Sequence, residues 1–264
     1  MSGWDFDGAL ALALGGHPPW LLAFGCVVVF LSAIVRGFSG FGFSLLAVTA
    51  ISLLMPPAAI IPAIFMLEVT ASLHLLPTVW KHVHWRSLVW LIVGCAIATP
   101  LGVWALASVP APPMKIAIAV FVIAAAIAFV RGWRLEKMPS GRVTLATGLA
   151  TGLANGGFGM AGPPVVLFYF GSPAGAHAGR ASLIAFFVAT DLMGLGYMAP
   201  AGLITWDSVR LALWFVVPLL IGVTIGARGF IHMDEAKFRL WVLRILIGLG
   251  ALTLAQGLWE LVSS

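Results

Sequence analysis

Apolar residues run along this chain in blocks, and polar or charged residues gather in the short gaps between them. The blocks fall at roughly 18–36, 43–55, 58–79, 87–108, 115–130, 143–154, 163–171, 181–204, 211–227 and 240–262. No period-two alternation runs through them, and most are 13 to 23 residues long, so the pattern predicts membrane helices and excludes a transmembrane barrel. Several blocks are too short to span. At about 1.5 Å per residue, 43–55 covers about 20 Å and 163–171 still less, against a hydrocarbon core of about 30 Å. They read as half-helices, either re-entrant hairpins (18–36 with 43–55, 143–154 with 163–171) or pieces of broken spanning helices.

Two gaps are rich in glycine instead of charge. Arg36-Gly37-Phe38-Ser39-Gly40-Phe41-Gly42 interrupts the first half, and Asn155-Gly156-Gly157-Phe158-Gly159 interrupts the second, 117 positions later. An unpaired backbone group in hydrocarbon costs several kcal/mol, so non-helical backbone at depth belongs around a cavity. Matched breaks in two halves point to a transporter's binding site.

The halves align further. Pro56 matches Pro173 at the same offset of 117; Trp85 and Ser87 match Trp206 and Ser208 at 121; Gly102 and Lys115 match Gly226 and Arg239 at 124. Each half then holds five segments, and an odd repeat is an inverted one. The resulting division is a polar segment 1–17, a first transmembrane repeat 18–130, a basic linker 131–142 and a second repeat 143–264. The first seventeen residues hold Asp5 and Asp7 but no Lys or Arg, unlike a secretory signal, so the first apolar segment is expected to be retained.

Composition agrees with the pattern. The chain is 61% hydrophobic and 9% charged, with a mean hydropathy of +1.09, where about 25% charged is usual in soluble domains. The net charge of +5 sits in short loops, so it reads as a topology signal and excludes a nucleic-acid surface. From an outside N-terminus, eleven basic residues (Arg36, Lys81, Arg86, Arg131, Arg134, Lys137, Arg142, Arg180, Arg228, Lys237, Arg239) fall on the inner side and two (Lys115, Arg210) on the outer. Both termini are therefore expected outside. Cys26 and Cys95 lie inside apolar segments without metal spacing and read as packing residues. No metal, catalytic residue or cofactor is expected.

Taken together, Gly37 to Gly42, Pro56-Pro57, His84-Trp85-Arg86 and Pro100-Leu101-Gly102, followed by Gly156 to Pro164, Trp206-Asp207 and Ile225-Gly226, resemble the TauE/SafE sulfite exporter family, also called toluene sulfonate uptake permeases. The resemblance covers residues of about 20 to 260. It implies a multi-pass inner-membrane protein that moves sulfite, sulfonates, sulfoacetate or related small organic anions. In place of a triple glycine in each break, this chain has Gly-Phe-Ser-Gly-Phe-Gly and Gly-Gly-Phe-Gly-Met-Ala-Gly-Pro-Pro.

Helices that begin inside a membrane point unpaired N–H groups and a positive dipole end at what precedes them. With starts near Gly42 and at Pro163-Pro164, two such ends should converge on an anion. The candidate binding residues are Arg36, Ser39, Gly40, Phe41, Gly42, Ser44, Asn155, Gly156, Gly157, Phe158 and Gly159. Gly148, Gly152, Gly222 and Gly226 read as helix-packing glycines. Two readings of Arg36 stand open: it grips the anion, in which case Arg36→Ala abolishes binding but not folding, or its helix carries it about 27 Å to the inner face, where it snorkels. Glu68, His74 and Asp191 are intramembrane ionisable groups and candidates for coupling or gating, with Glu68 pairing to Arg36 or Arg180 as the structural alternative. His82, His84, His177 and His232 read as solvated, and Trp80, Trp85, Trp90, Trp133, Trp206 and Trp259 as interfacial anchors.

An aspartyl protease would need a second intramembrane aspartate, and a serine protease would have to be built from Ser39 and His74, so an enzyme is not expected. The expected function is alternating-access transport of a small anion across the bilayer. The alternatives are an anion channel or a proton-coupled uptake permease for a small carboxylate, and protons and a second copy of the chain are the open partners.

Overall fold

A computed structural model describes residues 16–131, 139–173, 176–229 and 235–263. The polar segment up to residue 15, the centre of the linker with Trp133, Arg134 and Lys137, and His232 lie outside the described residues. The side chains of His177, Lys237 and Arg239 do as well.

Ten α-helices stand among the described residues, one for each apolar block. They are α1 (Pro19–Ser39), α2 (Phe43–Ile51), α3 (Pro57–Val79), α4 (Trp85–Ser108), α5 (Ala111–Arg131), α6 (Gly141–Phe158), α7 (Gly162–Gly171), α8 (Ala176–Met198), α9 (Trp206–Gly229) and α10 (Glu235–Ser263), with a short 3-10 turn at Trp80–His82. Among the described residues there is no strand. Seven of the helices contain stretches long and apolar enough to cross a membrane, with α2, α6 and α7 outside that group. The chain is a multi-pass membrane protein. Trp80, Trp85, Trp90, Trp206 and Trp259 are exposed, as interfacial anchors should be.

The most intimate packing is α4 against α6 and α9 against α1. Exchanging the first five helices for the last five in order turns one pair into the other. The same exchange turns α3 with α9 into α8 with α4, and α2 with α10 into α7 with α5, and returns α3 with α8 and α5 with α10 to themselves; all these pairs are in contact.

Glycine makes both intimate crossings. A Cβ at Gly148 would stand 2.5 Å from Leu91 O, one at Gly152 2.5 Å from Cys95 O, and one at Gly222 2.5 Å from Phe30 O, while those at Gly37 and Gly226 would strike Val223 O and Ile34 O. Lipid tails are as apolar as the side chains, so close backbone approach, not hydrophobic burial, drives such contacts. Cys95, fully buried beside Thr99, packs in the same crossing.

The first break is narrower than the sequence puts it: Arg36 to Ser39 form the last turn of α1, and the break is Gly40 to Gly42. Gly40 ends α1 with φ 82° and Gly42 precedes α2 with φ 93°, conformations that need glycine. The second differs from expectation: Asn155, Gly156, Gly157 and Phe158 form the last turn of α6, and the break is Gly159 to Ala161. The reason is the crossing with α4. A Cβ at Gly156 would strike Thr99 O, so this glycine serves close packing inside a helix. Gly159, at φ 68°, closes α6 with bonds from Gly159 N to Asn155 O (2.9 Å) and Met160 N to Ala154 O (3.2 Å), the first being the bond of a left-handed glycine cap.

Replacing Gly156 or Gly226 by valine should destabilise the protein by about 1–3 kcal/mol through overpacking, while Gly196→Ala, with open space around it, should not. Thermal midpoints in detergent check this; equal midpoints for all three would refute the packing role.

Candidate functional site

The first break ends α1 inside the protein, which leaves carbonyls that no helix can satisfy. Side chains satisfy them. Arg36 Nη1 donates to Gly40 O (2.7 Å), Arg180 Nη2 of α8 donates to Gly37 O (2.9 Å), and Ser39 Oγ lies 2.7 Å from both Val35 O and Phe41 O. Two cations at a helix C-terminus also suit its dipole.

Arg36 does more than cap. Its Nη2 donates to Ser72 Oγ (2.6 Å) and lies 3.1 Å from Glu68 Oε2, and its guanidinium lies 4.4 Å from the centre of the Phe187 ring. The arginine is 0% exposed and Glu68 3%. Glu68 and Phe187 are each the twelfth residue of a 23-residue helix, so the guanidinium stands level with the middles of α3 and α8. Snorkelling to the inner face is thereby corrected. The guanidinium folds over the end of its own helix onto Gly40 O and turns into the protein, where Ser72 and Glu68 hold it. Arg36 leaves the inner-side count, and ten inner basic residues against two still favour the same topology.

The other side of Glu68 meets the start of α2. Ser44 N donates to Glu68 Oε1 across 3.3 Å. Ser44 is the second residue of that nine-residue helix, so its N–H is one that the helix leaves unbonded. A carboxylate thus already sits where a half-helix N-terminus and a buried arginine meet. Neither Arg36 Nε nor Glu68 Oε2 has a hydrogen-bond partner.

A second polar group adjoins it. Asn155 Nδ2 of α6 donates to Thr190 O of α8 (3.1 Å), while Asn155 Oδ1 and Asp191 Oδ2 are buried without hydrogen-bond partners. Asp191 is within electrostatic reach of Glu68 and Arg36. Four elements therefore bring Arg36, Glu68, Arg180, Asp191 and Asn155 into one buried region.

Other candidates stand apart. The hydroxyl of Ser39 is engaged within its own turn, Ser44 contributes its backbone, and Gly157 faces Gly102 in the α4 crossing. Phe41 packs on Phe129 and Phe170, and Phe158 on Phe121. A Cβ at Gly159 would meet Ile61 and Phe65 of α3, about two turns before Ser72, so the two breaks flank the middle of α3. His74 is exposed, 3.3 Å from Thr224 Oγ1 of α9, and is not brought to the cluster. His84 is not a free solvated residue. Its backbone N–H donates to Ser182 Oγ (2.9 Å), and its ring Nδ1 lies 2.8 Å from Ser87 Oγ, which contacts Tyr169.

Sequence reasoning missed Ser72 and Phe187 altogether. Ser72 lies four residues after Glu68 and Phe187 four before Asp191, the spacing of one helix face. That signal was present but unremarkable among apolar helices.

Removing Arg36 leaves a buried, unpaired carboxylate, so Arg36→Ala should destabilise by about 3–5 kcal/mol, against the expectation that folding stays intact. Replacing both partners, Arg36→Leu with Glu68→Leu, should recover much of the loss. Thermal unfolding of the single and double variants checks this; a double variant no better than the single one would contradict the pair's role.

The family model for the sulfite exporter TauE/SafE matches residues 25–253. A curated relative, the "Probable sulfite/organosulfonate exporter TauE" of Cupriavidus necator, is 25% identical over 222 residues, covering 82% of this chain and 86% of the relative. No solved structure matches at a significant level. The family consists of membrane exporters and transporters, not enzymes, and its match spans both breaks and the cluster between them: this chain belongs to the TauE/SafE sulfite exporter family.

Proposed function

We propose that the protein is a secondary transporter of the inner membrane that carries a small oxyanion, a sulfite, sulfonate, sulfoacetate or related organic anion, by alternating access between two inverted repeats, 18–130 and 143–264. The observation that carries the anion reading is the meeting of the Ser44 N–H and the Arg36 guanidinium on one buried carboxylate oxygen pair. A site that holds one planar anion by an N–H and a guanidinium has the donors for another. The exchange-invariant helix pairing supports the repeat, and the printed name of the relative supports the substrate class.

Inversion is supported by the opposed breaks. The first lies against Glu68 and Ser72, the second against Ile61 and Phe65 nearer the start of α3. Rocking one half against the other would open the polar cluster to one side at a time. For an anion that crosses without a coupling ion, an inside-negative membrane favours exit by roughly 2.3 kcal/mol per unit charge per 100 mV. That the resident group is a carboxylate keeps a small carboxylate permease as the second reading.

The test is a ligand-stabilisation screen of purified protein against sulfite, thiosulfate, sulfoacetate, aromatic sulfonates and small carboxylates, followed by flux in liposomes. Saturable flux of a stabilising sulfur oxyanion, competed by its analogues, is expected. Flux that never saturates would indicate a channel, and stabilisation by carboxylates alone would favour the second reading.

A further inference from the structure

Glu68 occupies the place that the half-helix N-terminus and Arg36 create for an anion. We propose that Glu68 is a tethered competitor for that site, so that a substrate anion binds only when the Glu68 carboxylate takes up a proton and withdraws, coupling one proton to each anion. This rests on the anion-carrier reading above and specifies its coupling.

The terminal nitrogens of Arg36 and the Ser44 N–H are already engaged as the groups stand. Arg36 makes its contacts to Gly40 O, Ser72 Oγ and Glu68 Oε2 with both terminal nitrogens, and the Phe187 ring lies against the guanidinium. Arg36 Nε has no hydrogen-bond partner, so it is a donor an incoming oxyanion can use. Glu68 Oε1 takes the Ser44 N–H, and Oε2 accepts no hydrogen bond at all, only the charge of Arg36. Protonation converts that carboxylate to a neutral acid. Its attraction to the guanidinium falls, and its new O–H becomes a donor, with the unpartnered Asp191 Oδ2 as an acceptor on a residue within electrostatic reach. The proton comes from water on whichever side the site is open, and it leaves with the anion when Glu68 returns.

The ionisable groups facing Glu68 are few. Arg36 comes from α1 and Asp191 from α8, with Arg180 of α8 within electrostatic reach of Arg36. α2 contributes no ionisable side chain. On α3 itself His74 turns to Thr224 of α9; Lys115 of α5 is held by Glu260. Arg86 is in the first turn of α4, Lys81 and His82 in the short turn before it, and Asp207, Arg210 and Arg228 lie near the ends of α9. Glu68 is thus the carboxylate bound directly to the anion-binding donors. For a monovalent anion the proton and the anion cross together without net charge, so the pH gradient drives transport in place of the potential.

The test uses the full-length protein in nanodiscs with ethanesulfonate, which stays ionised from pH 5 to 8, and with sulfoacetate as a second probe. Wild-type affinity should fall roughly tenfold per pH unit on the alkaline side of its profile, with one proton taken up per anion in weakly buffered solution. Glu68→Gln should bind at pH 8 as tightly as wild type does at low pH, with no slope and no proton uptake. A wild-type protein that binds with the same affinity across the range and takes up no proton overturns the proposal and leaves the anion-carrier reading intact; this arm needs no variant to fold. A Glu68→Gln protein that keeps the slope also overturns it. Failure of both proteins to bind any probe of the panel overturns the proposal together with the reading on which it rests.

Discussion

The buried pair of Arg36 and Glu68 is the constraint around which the interior is arranged. Two charges withdrawn from water in a protein that is itself withdrawn from water persist only if nearly every lone pair and proton is used. The chain meets part of that demand by breaking α1 at Gly40, so that its carbonyl accepts from Arg36, and by starting α2 at Phe43, so that the Ser44 N–H reaches Glu68, while Arg36 Nε and Glu68 Oε2 keep no hydrogen bond. Ser72 and Phe187 close the remaining sides. The glycine break is thus part of the same electrostatic unit as the ion pair, and neither makes sense in hydrocarbon without the other.

Glycine does two separate jobs in this fold, and they are easily confused. At Gly40, Gly42 and Gly159 it supplies a backbone conformation that other residues adopt with strain. At Gly37, Gly102, Gly148, Gly152, Gly156, Gly222 and Gly226 it supplies the absence of a side chain where two helices touch. The second job holds α4 to α6 and α1 to α9, and so fixes the scaffold on which the half-helices end near the middle of α3.

Much of this was legible in the chain. The apolar blocks correspond one to one with helices, and the packing glycines, the first break and the importance of Arg36 and Glu68 follow from local rules of helix length and backbone satisfaction. What was not legible is tertiary. Gly156 and Gly157 look like a break because glycine disfavours helices, yet the close face of α4 keeps them helical. Arg36 looks interfacial because helix length measures the backbone and not the direction of a long side chain. His74 looks like a neighbour of Glu68, but six residues turn it to another face, toward Thr224.

The central claim is that an anion displaces Glu68 from the donors of Ser44 and Arg36. A structure of the protein in nanodiscs saturated with a bound sulfonate at acid pH tests it most directly. The account predicts the sulfonate oxygens within hydrogen-bond reach of the Ser44 N–H and the Arg36 guanidinium, with the Glu68 carboxyl withdrawn from both. A sulfonate bound elsewhere, with the Arg36–Glu68 contact intact, would contradict it.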